Sequence, residues 1–158
     1  NDKTSVVTTS QCSNEMKKLK VKEVIIVKPG EKVNVHGISV EAVHAYNITK
    51  INPGTGKPFH PKEDNKVGFV VTINNVRIYH AGDTDVIPEM GKIKTDIALL
   101  PVSGTYVMTA EEAAQAAKML KPRIAVPMHY GAIVGSIKDA EKFKTLVKEC
   151  EVKILTKE

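Results

Sequence analysis

Three residues in separate stretches have the type and setting to hold a metal ion. His60 lies in Pro58-Phe-His-Pro61, Asp83 in Tyr79-His-Ala-Gly-Asp-Thr-Asp85, and His129 in Val126-Pro-Met-His-Tyr-Gly131. Imidazole nitrogens and a carboxylate converging from three loops suit a borderline ion such as Zn²⁺. Gly82 lets the backbone turn sharply, which frees the Asp83 carboxylate to project from a strand end. Each residue also has an ordinary reading. A histidine at a strand end is commonly structural, and Gly-Asp-Thr-Asp is normal turn chemistry. Spacing alone leaves both readings open. Of the five histidines, His36 and His44 take the structural reading, and His80 faces either the core or the site.

Two other motifs fail on inspection. Gly54-Thr-Gly-Lys57 looks like the end of a phosphate-binding loop, but Pro58 stands where a magnesium-binding hydroxyl belongs and no helix follows. Asp83-Thr-Asp85 after a strand looks like an aspartyl nucleophile. The glycine-threonine continuation is missing, and no later acidic pair follows a strand.

The elements that must position these residues follow from periodicity. Ser5 to Thr9 reads as a short strand, and Ser13 as the cap of a short helix, Asn14 to Leu19. Val21 to Val27 reads as a buried strand closed by Pro29-Gly30. Lys32 to Val35 and Ile38 to Ala45 alternate around His36-Gly37, a hairpin signal. Positions 47 to 66 hold three prolines and two glycines without periodicity, and so read as a long functional loop. Val67 to Ile73 and Val76 to His80 flank Asn74-Asn75, a two-residue turn that needs positive φ. Strands follow at Ile97 to Pro101, Arg123 to Met128 and Val152 to Leu155. Helices lie between them. Thr109 with Glu112 forms a capping box for Ala110 to Leu120, and Ser136 caps roughly Ile137 to Lys148. Hairpins first and alternating strands and helices afterwards predict a mixed sheet covered by helices, with sites at strand ends.

Composition narrows the function. At 158 residues and 42% apolar content, residues 1–158 suit a single domain with a proper core. No stretch of 18 apolar residues is present, so no transmembrane helix is expected, and the polar first residues do not read as a signal peptide. Cys12 and Cys150 lie far apart and read as free, packed thiols of a cytoplasmic protein. The +5 charge is scattered lysine among glutamates, and aromatics are 4%. Both features argue against nucleic acid as a partner.

Six co-linear stretches then carry a resemblance. They are Ala45-Tyr-Asn47, Phe59-His-Pro61, Val67-Gly-Phe69, Ile78 to Asp85, Ala98-Leu-Leu-Pro101 and Pro127-Met-His-Tyr-Gly131. Together they resemble the metallo-β-lactamase superfamily, in its intracellular branch of metal-dependent hydrolases akin to ascorbate-lactonase-like proteins. The match covers roughly Val33 to Gly135. It implies an α/β (α+β) fold, the αββα sandwich, N-terminally truncated. It also implies two metal ions, zinc in the first instance and iron or manganese as substitutes. By resemblance, Asp83 is the catalytic carboxylate that bridges the metals and His129 is a ligand of the second. The ligand of the first lies some two dozen residues before the aspartate. His60 lies 23 before it and His44 lies 39, so His60 is assigned and His44 held in reserve. Thr84, Asp85 and His80 are candidates for orienting the ligands, and Tyr130 for lining the pocket.

One departure matters. The family's His-x-His-x-Asp-His segment, which supplies further ligands to both metals, is absent from these residues. The expectation is an incomplete fold lacking that segment, inactive alone. With the segment, the protein is expected to hydrolyse an ester, lactone or phosphodiester of a small molecule with a metal-bound hydroxide. The alternative is a non-catalytic binding or interaction domain. Exposed sheet edges in a shortened fold would also invite homo-oligomer formation.

Overall fold

Two tight turns start the main sheet. β3 (Lys32–Val35) and β4 (Ile38–His44) pair antiparallel, joined by His36-Gly37 at φ 51° and 84°. β5 (Val67–Ile73) and β6 (Val76–His80) are joined by Asn74-Asn75 at φ 49° and 64°. Two consecutive positive φ values match the twist of a hairpin, and asparagine and glycine bear them at least cost. After β6 the pairing turns parallel, through β7 (Ile97–Pro101), β8 (Ile124–Met128) and β9 (Glu151–Val152). Among the described residues, the sheet's seven strands lie in sequence order, β3 to β9. Parallel neighbours need crossovers. Here they are a 3₁₀ turn at Pro88–Lys92, α2 (Ala110–Leu120) and α3 (Ile137–Leu146). The computed structural model describes residues 1–155.

The register explains which face is dry. Val70, Tyr79, Ala98, Ala125 and Val152 form one cross-strand row, and all are buried. They share a core with Ala113, Ala116, Ala117 and Leu120 of α2 and Phe143 of α3. The small residues of α2 let it lie close to the sheet. The row on the opposite face is Val40, Val71, Ile78, Ile97 and Ile124, and each is only half-buried. A separate parallel pair, β1 (Ser5–Thr8) with β2 (Glu23–Ile26), is connected through α1 (Ser10–Lys17).

Several sequence expectations are corrected. α1 starts at Ser10, so Ser13 is not its cap. Ser13 is buried inside the helix, and its hydroxyl donates to the Ser10 carbonyl. β2 is shorter than Val21 to Val27 and half-open, with only Val27 beside it buried. α3 ends at Leu146 rather than Lys148, and the last strand is Glu151–Val152 rather than Val152 to Leu155. Both cysteines are free, but Cys12 is exposed rather than packed.

Candidate metal centre

Asp83 stands just beyond the end of β6, where the chain turns back over β5. The turn needs two glycines. Gly82 sits at φ +69°, and a Cβ there would also lie 3.1 Å from the Val67 carbonyl. A Cβ on Gly68 would lie 2.6 Å from the Ala81 carbonyl oxygen, so no other residue fits under the turn. The Asp83 side chain, 45% exposed, emerges between two imidazoles. His60 Nε2 lies 3.6 Å from Asp83 Oδ2, and His129 Nε2 lies 3.6 Å from Oδ1. Both separations are too long for hydrogen bonds.

Each imidazole is held by its other nitrogen. His60 Nδ1 is 2.8 Å from Asn47 Oδ1, which also accepts the His60 backbone N–H at 3.0 Å. Asn47 is buried, and its Nδ2 donates to Asp85 Oδ1 at 3.1 Å and to the Tyr106 carbonyl at 3.0 Å. Asp85 is buried too. It accepts from the Ile48 and Thr49 amides, both at 2.7 Å, and from the Thr49 hydroxyl at 3.1 Å. Burial pushes its carboxyl up, but these amides, Lys50 and Asn47 outweigh that and hold it below its ordinary value. Lys50 then grips both Glu112 oxygens, at 2.8 and 2.7 Å, and Glu112 Oε2 also accepts the Thr109 amide at 2.7 Å. The capping box at the start of α2 thus anchors the loop that carries His60. Burial, helped by Lys66, holds the His60 imidazole below its ordinary pKa against the pull of Asp83. On the other side, His129 takes φ 60°, which swings its ring off the end of β8, and Ser103 Oγ lies 3.0 Å from its Nδ1.

The remaining sequence candidates fall into place around this cluster. The Thr84 hydroxyl is buried and bonds the Tyr46 backbone. It fixes the strand end and does not touch the imidazoles. Asp85 acts at one remove, through Asn47. Tyr130 is half-buried and lines a recess of about 180 Å³ with His129 and Ile133. His80 is exposed, and its Nδ1 accepts the Gly82 amide at 3.2 Å. His44 packs edge-on to Tyr46 and lines a different recess with Glu41 and Arg77. His36 sits in the β3–β4 turn, 2.9 Å from the Ser5 hydroxyl. Sequence reasoning missed the supporting roles of Asn47, Lys50, Ser103 and Glu112. Their partners are tertiary, and the one local signal was the capping box.

With this geometry in view, residues 1–129 match the family model described as the beta-lactamase superfamily domain. The chain belongs to this superfamily. Curated relatives in the superfamily include a UPF0173 metal-dependent hydrolase of Pyrococcus horikoshii, 46% identical over 135 residues, covering 80% of this chain and 55% of its own. Another, from Thermoplasma acidophilum, is 38% identical over 128 residues, covering 78% and 54%. The chain spans about half the length of the curated relatives it matches. Among solved superfamily folds, a candidate metal-dependent hydrolase of Parabacteroides distasonis aligns with TM-score 0.74 and 36% identity, over 94% of this chain and 63% of its own. A metallo-β-lactamase superfamily protein of Thermotoga maritima, 22% identical, shares the fold at TM-score 0.65, over 98% and 84%.

Proposed function

We propose that the chain carries one part of a two-metal hydrolytic centre, with Asp83 shared between the ions, His60 serving one and His129 the other. The carrying observation is that the two oxygens of one carboxylate each face a different imidazole Nε2 at 3.6 Å. An ion with ligand distances of about 2.0–2.2 Å holds two ligands roughly 3.3–3.6 Å apart at near-tetrahedral angles. The donor set therefore fits. Among the described residues no three His, Cys, Asp or Glu side chains close on one point, so each ion finds two ligands here. The others belong to the longer protein, in a His-x-His-x-Asp-His segment.

When bound, the metals supply Lewis acidity and an activated water. The chain's own residues fix donor directions: Asn47 behind His60, Ser103 behind His129, and the Gly68–Gly82 crossing beneath Asp83. Zinc is the first choice of metal, with iron or manganese able to use the same donors. The substrate is a small ester, lactone or phosphodiester, and Tyr130 lines its approach. No helix among the described residues is long and apolar enough to cross a membrane. Free thiols suit a reducing cytoplasm.

The test uses the full-length protein. Metal analysis is expected to give two ions per chain, and Asp83→Ala to remove most of the metal and the hydrolysis of p-nitrophenyl acetate, a γ-lactone or bis-p-nitrophenyl phosphate. Less than one ion per chain, with Asp83→Ala unchanged, refutes the proposal. The second reading, a non-catalytic binding domain, is motivated by the absence of the His-rich segment from these residues. Finding that segment in the full-length sequence sinks it. Residues 1–158 alone are expected to show no hydrolysis above buffer.

A further inference from the structure

The hydrogen bonds around Asn47 have only one consistent polarity. Its Nδ2 faces Asp85 Oδ1 at 3.1 Å and the Tyr106 carbonyl at 3.0 Å. A carboxylate and a carbonyl only accept, so this end of the amide must be the NH₂ group. Asp85 cannot turn away, because the Ile48 and Thr49 amides hold its other oxygen at 2.7 Å. The opposite end of Asn47 receives the His60 backbone N–H at 3.0 Å, which only donates. That end is the carbonyl oxygen. Three partners thus fix the orientation of the amide without reference to the imidazole.

The imidazole follows. His60 Nδ1 lies 2.8 Å from an oxygen that can only accept, so Nδ1 carries the hydrogen. A neutral ring has one N–H, which leaves the lone pair on Nε2, the atom that faces Asp83 at 3.6 Å. We propose that Asn47 is a positioning residue that locks His60 as the Nδ1–H tautomer with Nε2 free to bind metal, and that buried Asp85 sets the polarity of Asn47. The proposal rests on the metal-centre reading above. His129 has no such lock, because a serine hydroxyl both donates and accepts, so its partner Ser103 leaves either tautomer open.

Four variants of the full-length protein test this, by ¹⁵N-histidine NMR on the metal-stripped protein and zinc titration calorimetry. The wild type is expected to give the Nδ1–H signature at His60. Asn47→Ala removes the acceptor: His60 is expected to gain Nε2–H population, and zinc affinity to fall roughly 10- to 100-fold. Asn47→Asp keeps an acceptor for His60 but loses both donations. Its melting temperature is expected to fall while the tautomer stays Nδ1–H, an effect that general loosening of the loop would not give. In a His60→Ala background, Asn47→Ala is expected to cost no further affinity, since the two act as one unit. An Nε2–H signature at His60 in the wild type overturns the proposal, and that readout stands even if a variant fails to fold. So does a folded Asn47→Ala with zinc affinity within about twofold of wild type while His60→Ala is impaired. If His60→Ala itself binds zinc like the wild type, the metal-centre reading has failed instead.

Discussion

At the scale of single residues, the proposed centre needs two correctly aimed imidazoles, and they are supported by different means. His60 is half-buried with its pKa pushed down, chiefly by desolvation. A histidine whose folded pKa lies below its unfolded value binds more protons unfolded. Its contribution is therefore fully present above the unfolded value, 6.5, and is lost as pH falls from there through the lower folded value. Urea titrations of the metal-stripped protein are expected to show stability falling as pH drops below about 6.5, with a shallower fall in His60→Gln. His129 relies on the Ser103 hydroxyl, 3.0 Å from Nδ1. Ser103→Ala is expected to weaken zinc binding roughly tenfold by calorimetry and to shift stability by less than about 1 kcal/mol, since one partly buried hydrogen bond is lost.

Among the elements, the β5–β6 hairpin and the loop before it carry the geometry. Gly68→Ala would place a methyl 2.6 Å from the Ala81 carbonyl oxygen, a backbone atom that cannot move without shifting Asp83. It is expected to cost about 1–3 kcal/mol in chemical denaturation and to lower metal content together with stability. Lys50→Met would release Glu112 while leaving the α2 capping box intact. Hydrogen exchange at the Ile48 and Thr49 amides, both bonded to Asp85, is then expected to quicken, with the β5 and β6 amides unchanged. This scale also shows what was legible from sequence. Asn74-Asn75 announced its own turn because the conformational demand is local, and Thr109 with Glu112 announced the capping box for the same reason. Ser13 misled because a serine is a common cap residue, whereas the helix starts at Ser10 and the hydroxyl bonds backward. Nothing local could reveal the roles of Asn47 or Ser103. Their partners lie 13 to 59 residues away, and the distances exist only once the loops fold over the strand ends.

For the whole molecule, the question is what covers the second face of the main sheet. One face is sealed by α2, α3 and the 3₁₀ turn. The other presents Val40, Val71, Ile78, Ile97 and Ile124 in register, each half-buried. A row of five β-branched residues across adjacent strands is a core surface by composition, yet among the described residues β1 and β2 form a separate two-stranded sheet. The αββα architecture gives such a row a role, because it places a second sheet against the first. The curated relatives match this chain over about half their own length. We therefore predict that in the full-length protein this row is the seam between the two sheets. Ile78→Asp sits at its centre, five residues before Asp83 but on the face opposite the buried Tyr79 row. In the full-length protein it would bury an unpaired carboxylate and is expected to cost about 3 kcal/mol or more, or to prevent folding. In residues 1–158 alone, where the row is only half-buried, the same change is expected to cost about 1 kcal/mol or less and to raise solubility, since it breaks a partly exposed apolar patch. Urea denaturation of both lengths, with and without the substitution, decides it. Equal destabilisation in the two would mean that the row is already sealed within these residues and that the second sheet packs elsewhere.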